Sequence, residues 1–339
     1  MPSRGRLMRL LLAVAIVFLL FLALGAGIAG YWYLGPYRGF GNEAFVEIEH
    51  GMSSQRIARI LASQGVVRSR WAFLAVRTLH PRATLQAGEY RFGSAQTPFQ
   101  VFEKIRRGDV FYEDFTVPEG SSIFDIASLL GQSDTVNPDA FLKAAANPQS
   151  IRDLDPLAPD LEGYLFPSTY RVTHRTSADL LCRMMTAEFR KQWTALGGEK
   201  QAADIHKIVI LASLVEKEAA VPGERPSIAA VFTNRLRLAM PLQADPTTVY
   251  AALLENRYRG AIHKSDLASG NPYNTYTHAG LPPGPIANPG TSSLSAALHP
   301  ADVNYMYFVA KGDGSGLHHF SSTLEEHEKA VLAYRKNGH

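Results

Sequence analysis

The hydrophobic pattern begins with one uninterrupted apolar segment near the N-terminus. Residues 10–35 contain no charged side chain, and this length exceeds the ~20 residues that a helix needs to cross a bilayer. Three arginines precede the segment, and no acidic residue occurs before Glu43. By the positive-inside rule, the pattern predicts a cytoplasmic tail at 1–9, a transmembrane helix at 10–34 and an exported remainder.

A cleavable signal peptide is the alternative for this segment. Gly27-Ile28-Ala29 is a tolerable cleavage site, but the apolar run exceeds the usual h-region of about 7–15 residues. Tyr31, Trp32 and Tyr33 also suit the far membrane interface. We therefore predict a retained anchor, followed by a linker at 35–44.

The region after the linker contains a weak internal repeat. Val46–Leu61 and Phe115–Leu130 each have the pattern of a short strand, a Gly turn and a Ser-capped amphipathic helix. A further strand over 87–92 and a helix near 101–105 lie between them. The pattern predicts a small α+β unit at 45–132 that resembles glycan-binding LysM modules. An ordinary packing unit without a ligand fits the same pattern.

The helix that starts near Ile208 ends in two carboxylates that point in different directions. At about 100° per residue, Glu218 falls between Leu211 and Leu214 on an apolar wall, whereas Glu216 lies nearly opposite. Desolvation and the negative helix end would both raise the pKa of Glu218. A carboxyl tuned in this way works as a general acid near neutral pH, although a lone Glu in this position is usually solvated.

Polar and aromatic residues that suit sugar rings follow this helix. A second helix is predicted at 227–238, and a stiff Gly/Pro loop at 280–290 is predicted to form a cleft wall. Each of these residue types is also common in turns or in the core, so only their occurrence together indicates a sugar-binding site. The candidate substrate-binding residues are Asn234, Arg235, Gln243, Asp245, Thr247, Tyr273, Asn274, Thr275 and Tyr276.

Composition argues against disulfide bonds, nucleic-acid binding and a metal site. The single cysteine, Cys182, permits no intramolecular disulfide and is predicted to be a buried apolar residue within a helix capped by Ser177. The balance of 34 Lys+Arg against 31 Asp+Glu gives no reason to propose nucleic acid as a partner. The histidines show no ligand spacing, so we predict no metal and no cofactor.

An ordered set of motifs gives the chain a resemblance that covers nearly its whole length. The motifs are Leu214–Ala219, Asn234–Leu236, Leu242–Thr247, Tyr273–Tyr276, Gly280–Gly284 and His299–Pro300. Together they resemble the YceG-like family. The resemblance implies cleavage within peptidoglycan glycan strands to leave 1,6-anhydro-N-acetylmuramic acid ends, with Glu218 as the catalytic residue. The family often has Thr after that Glu, where this chain has Ala219.

The resemblance also implies partners and a location. It predicts coupling to peptidoglycan synthases (penicillin-binding proteins), a single-pass anchor in the cell inner membrane and a periplasmic catalytic domain at 133–339. The overall prediction is an α+β protein. A non-catalytic, membrane-anchored glycan-binding scaffold is the alternative function, and Asp245 across the cleft from Glu218 would reopen two-carboxylate hydrolysis.

Overall fold

The computed structural model describes residues 4–133 and 135–337, which form a mixed α+β fold. The strands are β1 (Ala44–Ile48), β2 (Gly88–Phe92), β3 (Glu113–Thr116), β4 (Thr169–Val172), β5 (Tyr307–Ala310) and β6 (His318–Ser321). The helices are α1 (Arg4–Leu34), α2 (Ser54–Ser63), α3 (Arg70–Leu79), α4 (Pro98–Arg107), α5 (Ile123–Leu130), α6 (Pro138–Ala145), α7 (Ala178–Ala195), α8 (Ile205–Glu218), α9 (Arg225–Arg237), α10 (Asp245–Leu254), α11 (Lys264–Leu267), α12 (Thr291–Leu298) and α13 (Leu324–Asn337). The contacts divide the chain into a first unit that ends at Tyr112 and a second that begins at Glu113.

The N-terminal apolar segment is one long helix. Within α1, Leu11–Ile28 has a mean hydropathy of 2.9, and none of these residues is buried by the protein. It is the one helix among the described residues that is long and apolar enough to cross a membrane. The predicted helix at 10–34 is therefore present, with the composition of a single-pass anchor.

The first repeat forms as predicted. Strand β1 pairs antiparallel with β2, Gly51 adopts a left-handed φ of 77°, and Ser53 caps α2 by accepting a hydrogen bond from the Arg56 amide. Apolar side chains of β1, β2, α2, α3 and α4 share one core. The predicted strands and helices of this unit are therefore present, whereas α3 was not predicted.

The second repeat also forms, but it belongs to the second unit. Gly120 has a φ of 75° and Ser122 caps α5. Strand β3 pairs with β4 rather than with β1 or β2, and Ile126 of α5 joins the core of the second unit. Long-range pairing thus places the division at Tyr112, earlier than the predicted boundary between 132 and 133.

The second unit is built around α8, which is buried along most of its length. Helices α9 and α12 pack against it, and Ser177 caps α7, which buries Cys182. The sequence pattern did not predict α3, β4, α6, α10, α11, α12, α13 or the β5–β6 hairpin. Helix α10 starts at Asp245, and Pro246 is tolerated in its first turn, where the missing N–H would have no helical partner.

Candidate active site

Helix α8 places Glu218 at its last residue, with the side chain partly buried. The preceding turn buries Leu214 and Val215 in the core, which fixes the direction of the helix end. The residues from Ile205 to Val215 are apolar or buried with few exceptions, so the helix cannot rotate without exposing its core face. Glu218 is therefore held in one orientation by packing that the sequence pattern predicted.

A cavity of about 550 Å³ opens beside Glu218. Helix α10 and the segment after it supply most of its apolar wall, and the start of α5 supplies a polar side. The residues that line it are Ser122, Asp125, Lys217, Glu218, Asp245, Pro246, Val249, Tyr250, Leu253, Tyr258, Ile262 and Ile286. Its volume lies within the range of small-molecule sites, and the side chains are apolar with a few convergent polar groups.

The surroundings of Glu218 hold its carboxyl in a form suited to proton transfer. Burial, and after it the negative charge of Asp245, raise the pKa of Glu218 to about 7. A carboxyl with this pKa is substantially protonated near neutral pH and can both donate and accept a proton. The raised pKa and its origin in burial were predicted from the apolar wall, whereas the contribution of Asp245 was not.

Asp245 and Tyr276 form a polar pair close to Glu218. The Tyr276 hydroxyl donates a hydrogen bond of 2.5 Å to Asp245 Oδ1. Burial, this hydrogen bond, and the charges of Asp245 and Glu218 all raise the pKa of Tyr276, which therefore remains protonated. The structure thus brings together three residues that the sequence placed in separate motifs.

Arg235 lies in the last turn of α9, and Gln243 lies in the connection that leads into α10. Arg235 donates to the carbonyls of Met306 (2.7 Å) and Leu242 (2.9 Å), and its guanidinium lies 5.2 Å from the centre of the Tyr307 ring. Gln243 is exposed and has a left-handed φ of 52°. An L residue in this conformation costs about 1–3 kcal/mol, and such strain is concentrated at functional sites.

Of the nine predicted substrate contacts, Asp245 is the one that lines the cavity, and five of the other eight serve the scaffold. The Asn234 amide binds the carbonyls of Val303 and Tyr305, and the Asn274 amide binds three carbonyls of the segment 266–269. Thr247 and Thr275 are buried and share a hydrogen bond of 2.9 Å between their hydroxyls. The fifth residue, Tyr273, is partly buried with its ring centre 5.1 Å from that of Tyr250. Direct contact of these residues with substrate remains a prediction without structural support.

Glu216 has a different task from Glu218, as their opposite directions predicted. Its carboxylate accepts hydrogen bonds from Arg225 Nη2 and from the Gly290 amide, both at 2.9 Å. Arg225 is itself buried, so the pair is an internal ion pair. Glu216 joins α8 to α9 and to the end of the Gly/Pro loop.

The Gly/Pro loop is mostly buried and forms little of the cavity wall. Most of 282–290 is buried, and Ile286 is its one residue that lines the cavity. The Ile286 amide donates to Ser213 Oγ of α8 at 3.1 Å. The loop therefore supports the cavity from behind, and the prediction that it forms the wall is corrected to that extent.

Sequence analysis missed a second buried carboxyl behind the cavity. Glu162 accepts hydrogen bonds from the Ile123 amide (2.9 Å) and from Asn288 Nδ2 (2.8 Å), and burial raises its pKa to about 8. It therefore joins the start of α5 to the Gly/Pro loop. The signal available in the sequence was a lone Glu within the apolar run 161–166, which is unusual for an exposed loop.

His206 was also missed, and it anchors the same loop at the other end of α8. One ring nitrogen lies 2.7 Å from Asp155 Oδ2 and the other 3.2 Å from the Pro283 carbonyl. Both partners are acceptors, so the full set of bonds requires a protonated ring. The hydrogen bond to Asp155 raises the pKa of His206 accordingly.

Taken together, the fold and the site have the form of an enzyme with one protonatable carboxyl in an apolar-walled cavity. Known proteins of similar sequence belong to one family. A sequence model of the YceG-like family matches residues 46–333. The chain belongs to the YceG-like family.

Its relatives include named enzymes. The endolytic murein transglycosylase of Bacillus subtilis (strain 168) is 34% identical over 85% of this chain and 84% of that protein. The protein of the same name from Streptococcus pneumoniae serotype 2 is 28% identical over 95% of this chain and 65% of its own length. The crystal structure of a YceG-like protein from Listeria monocytogenes is similar with a TM-score of 0.53 and 32% identity, covering 85% of this chain and 98% of that one.

Proposed function

We propose that this chain is an endolytic peptidoglycan lytic transglycosylase that cleaves the bond between N-acetylmuramic acid and N-acetylglucosamine within glycan strands. The observation that carries the proposal is the Glu218 carboxyl, whose pKa of about 7 suits proton transfer and which lines a cavity of about 550 Å³. The activity named for its relatives supports the same conclusion.

In the proposed reaction, Glu218 acts first as an acid and then as a base. The protonated carboxyl donates to the glycosidic oxygen as the bond to C1 of the muramic acid breaks. The carboxylate then takes the proton from the 6-hydroxyl of the same sugar, whose oxygen bonds to C1 and closes the 1,6-anhydro ring. The substrate supplies the nucleophile, so no water is consumed and Glu218 ends protonated.

Asp245, Tyr276, Gln243 and Arg235 are proposed to position the sugar next to Glu218. Asp245 lies in the cavity and holds the Tyr276 hydroxyl, while Gln243 is exposed beside them. Gln243→Gly removes the side chain but permits the same backbone conformation. We expect a raised KM with an unfolding midpoint that does not fall, since glycine adopts this left-handed conformation without strain. An unchanged KM would remove Gln243 from the binding site.

A two-carboxylate glycoside hydrolase is the second candidate, because Asp245 provides a second carboxylate in the same cavity. The two reactions leave different ends. Digestion of purified glycan strands, followed by mass spectrometry, should give fragments with anhydro ends, which are lighter by one water than reducing ends. Reducing ends would support hydrolysis, and intact strands would support the non-catalytic glycan-binding scaffold.

The proposal extends to location and partners. We propose that α1 anchors the protein in the cell inner membrane, with a cytoplasmic N-terminus and a periplasmic catalytic unit, and that cleavage beside peptidoglycan synthases terminates the elongation of nascent strands. Support comes from the apolar segment Leu11–Ile28 and the arginines before it. A C-terminal reporter that is active only in the cytoplasm would refute this orientation.

Glycan binding by the LysM-like region is proposed from its strand–Gly–helix pattern alone. Removal of residues 45–110 should weaken the binding of long glycan strands more than it slows the cleavage of short ones. Equal losses on both substrates would give the region a purely structural role.

A further inference from the structure

The first unit carries a surface whose charge and exposed apolar side chains are not explained by its own core. The segment from His50 to Gly88 contains six arginines and no acidic residue. On α3, Trp71 is 62% exposed and Leu79 is 78% exposed. Such side chains side by side with arginines mark a contact surface rather than a solvated helix face.

Two of the arginines meet Trp71 at one place. Arg59 of α2, Arg70, Trp71 and Leu74 line a depression of about 240 Å³ together with Gln55, and the Arg70 guanidinium lies 4.7 Å from the centre of the Trp71 ring. Within the described residues 4–133 and 135–337, neither Arg59 nor Arg70 has a carboxylate partner. We call Arg59, Arg70, Trp71, Leu74 and Leu79 the arginine–tryptophan surface.

This surface is tied closely to the end of α1. The Gly39 amide donates to the Gly65 carbonyl at 2.8 Å, so the chain after α1 contacts the loop that leads into α3. Gly65 has a φ of 70°, and a Cβ there would meet the Gly39 backbone at 2.6 Å, so this close approach requires glycine. Gly39 is five positions after Leu34, which limits the distance from the end of α1 to this loop to about 18 Å.

We propose that the arginine–tryptophan surface docks onto anionic phospholipid headgroups of the membrane that α1 crosses, which rests on the proposed membrane span. Guanidinium groups bind phosphate, and Trp favours the interface between headgroups and acyl chains. Each arginine near an anionic surface favours contact by about fivefold. The first unit is then held against the bilayer at a second point besides α1.

The test uses the full chain reconstituted into vesicles, with Trp71 as the reporter. Subtracting the fluorescence of Trp71→Phe removes the emission of the other two tryptophans of the chain. In phosphatidylglycerol vesicles with brominated acyl chains we expect Trp71 to be quenched by bromine and protected from aqueous acrylamide. In phosphatidylcholine vesicles both effects should be much weaker.

The double variant Arg59→Glu/Arg70→Glu should lower membrane contact by about 25-fold or more, since it removes two such arginines and adds repulsion. Arg152→Glu/Arg183→Glu makes the same charge change on two exposed residues of the second unit and should leave Trp71 protected. All four sites are exposed, so the variants should keep the unfolding midpoint of the parent chain.

Four results would overturn the proposal, and they are distinguishable. Strong acrylamide quenching of Trp71 in both kinds of vesicle, without quenching by bromine, would show that Trp71 does not contact lipid. Equal protection in both kinds would show that the contact does not depend on anionic headgroups. Protection of Trp71 by soluble glycan strands but not by vesicles would assign the surface to glycan. A chain that fails to float with vesicles would refute the membrane span and this docking together, while leaving the proposed cleavage reaction intact.

Discussion

The coupling between Asp245 and Glu218 makes a sharp prediction for the pH dependence of cleavage. Glu218 must be protonated to act as the acid, so the rate should fall as pH rises through its pKa of about 7. Asp245→Asn removes a negative charge that raises this pKa, while the amide oxygen can still accept the hydrogen bond from Tyr276. The alkaline limb of the rate profile should therefore move to lower pH.

The structure limits the size of that movement. The difference between 4.5 and about 7 corresponds to about 3 kcal/mol of preference for the protonated carboxyl. Burial is the larger cause and Asp245 the smaller, so less than half of the difference disappears with the charge. We expect the midpoint to fall by at most about one pH unit, with little loss of rate near pH 5.

The assay is the initial rate of release of anhydro-ended fragments from purified glycan strands across the pH range 5–9, an interval chosen as roughly two units either side of the Glu218 midpoint. Tyr276→Phe is the matched control, because it removes the hydroxyl at Asp245 but keeps the charge, and its midpoint should not fall. An unchanged midpoint in Asp245→Asn would refute the electrostatic coupling. Loss of all activity at every pH in a folded Asp245→Asn protein would instead favour two-carboxylate hydrolysis.

Three further predictions concern stability. Glu216→Gln should lower the free energy of unfolding in urea by about 3 kcal/mol, because it breaks a buried ion pair with Arg225; an unchanged midpoint would contradict this. Glu162 has its pKa raised to about 8, so its contribution is present at low pH and is lost as pH rises through that value. The melting temperature of Glu162→Gln relative to the parent should therefore be higher at pH 9 than at pH 5, and the reverse order would refute the assignment. The pKa of His206 is raised by Asp155, so its contribution is complete below the ordinary His value and is lost as pH rises through the raised one. His206→Ala should therefore cost more unfolding free energy at pH 6 than at pH 9, and equal costs would show that the pair is not ionic.

Sequence analysis succeeded where the determining interactions are local. Helix periodicity placed Glu218 and Glu216 on opposite sides of α8, and Ser53 and Ser122 were identified as caps because a cap involves only the next few residues. For the helix faces and the caps, the residues that decide the outcome lie within about one or two helical turns. The burial of Cys182 was predicted from the apolar character of a free cysteine.

Prediction from the sequence failed where residues far apart in the chain come into contact. The pairing of β3 with β4 moved the second repeat into the second unit, and no local pattern records that pairing. The amides of Asn234 and Asn274 suited sugar binding by type, but tertiary packing directs both to backbone carbonyls. Glu162 depends on Asn288, which lies far along the sequence. Residue chemistry alone therefore could not separate cavity residues from scaffold residues.

Replacing Glu218 by Gln tests the central claim most directly. Gln keeps the shape and hydrogen bonding but cannot transfer a proton, and a neutral group suits the buried position, so the fold should be at least as stable above pH 7. General acid–base catalysis contributes about 10²–10⁴-fold, and because Glu218 serves in both steps the release of anhydro-ended fragments should fall by at least the upper figure. Glu328→Gln, the same change at an exposed residue outside the cavity, should retain normal release. Near-normal release of anhydro-ended fragments by Glu218→Gln would contradict the account.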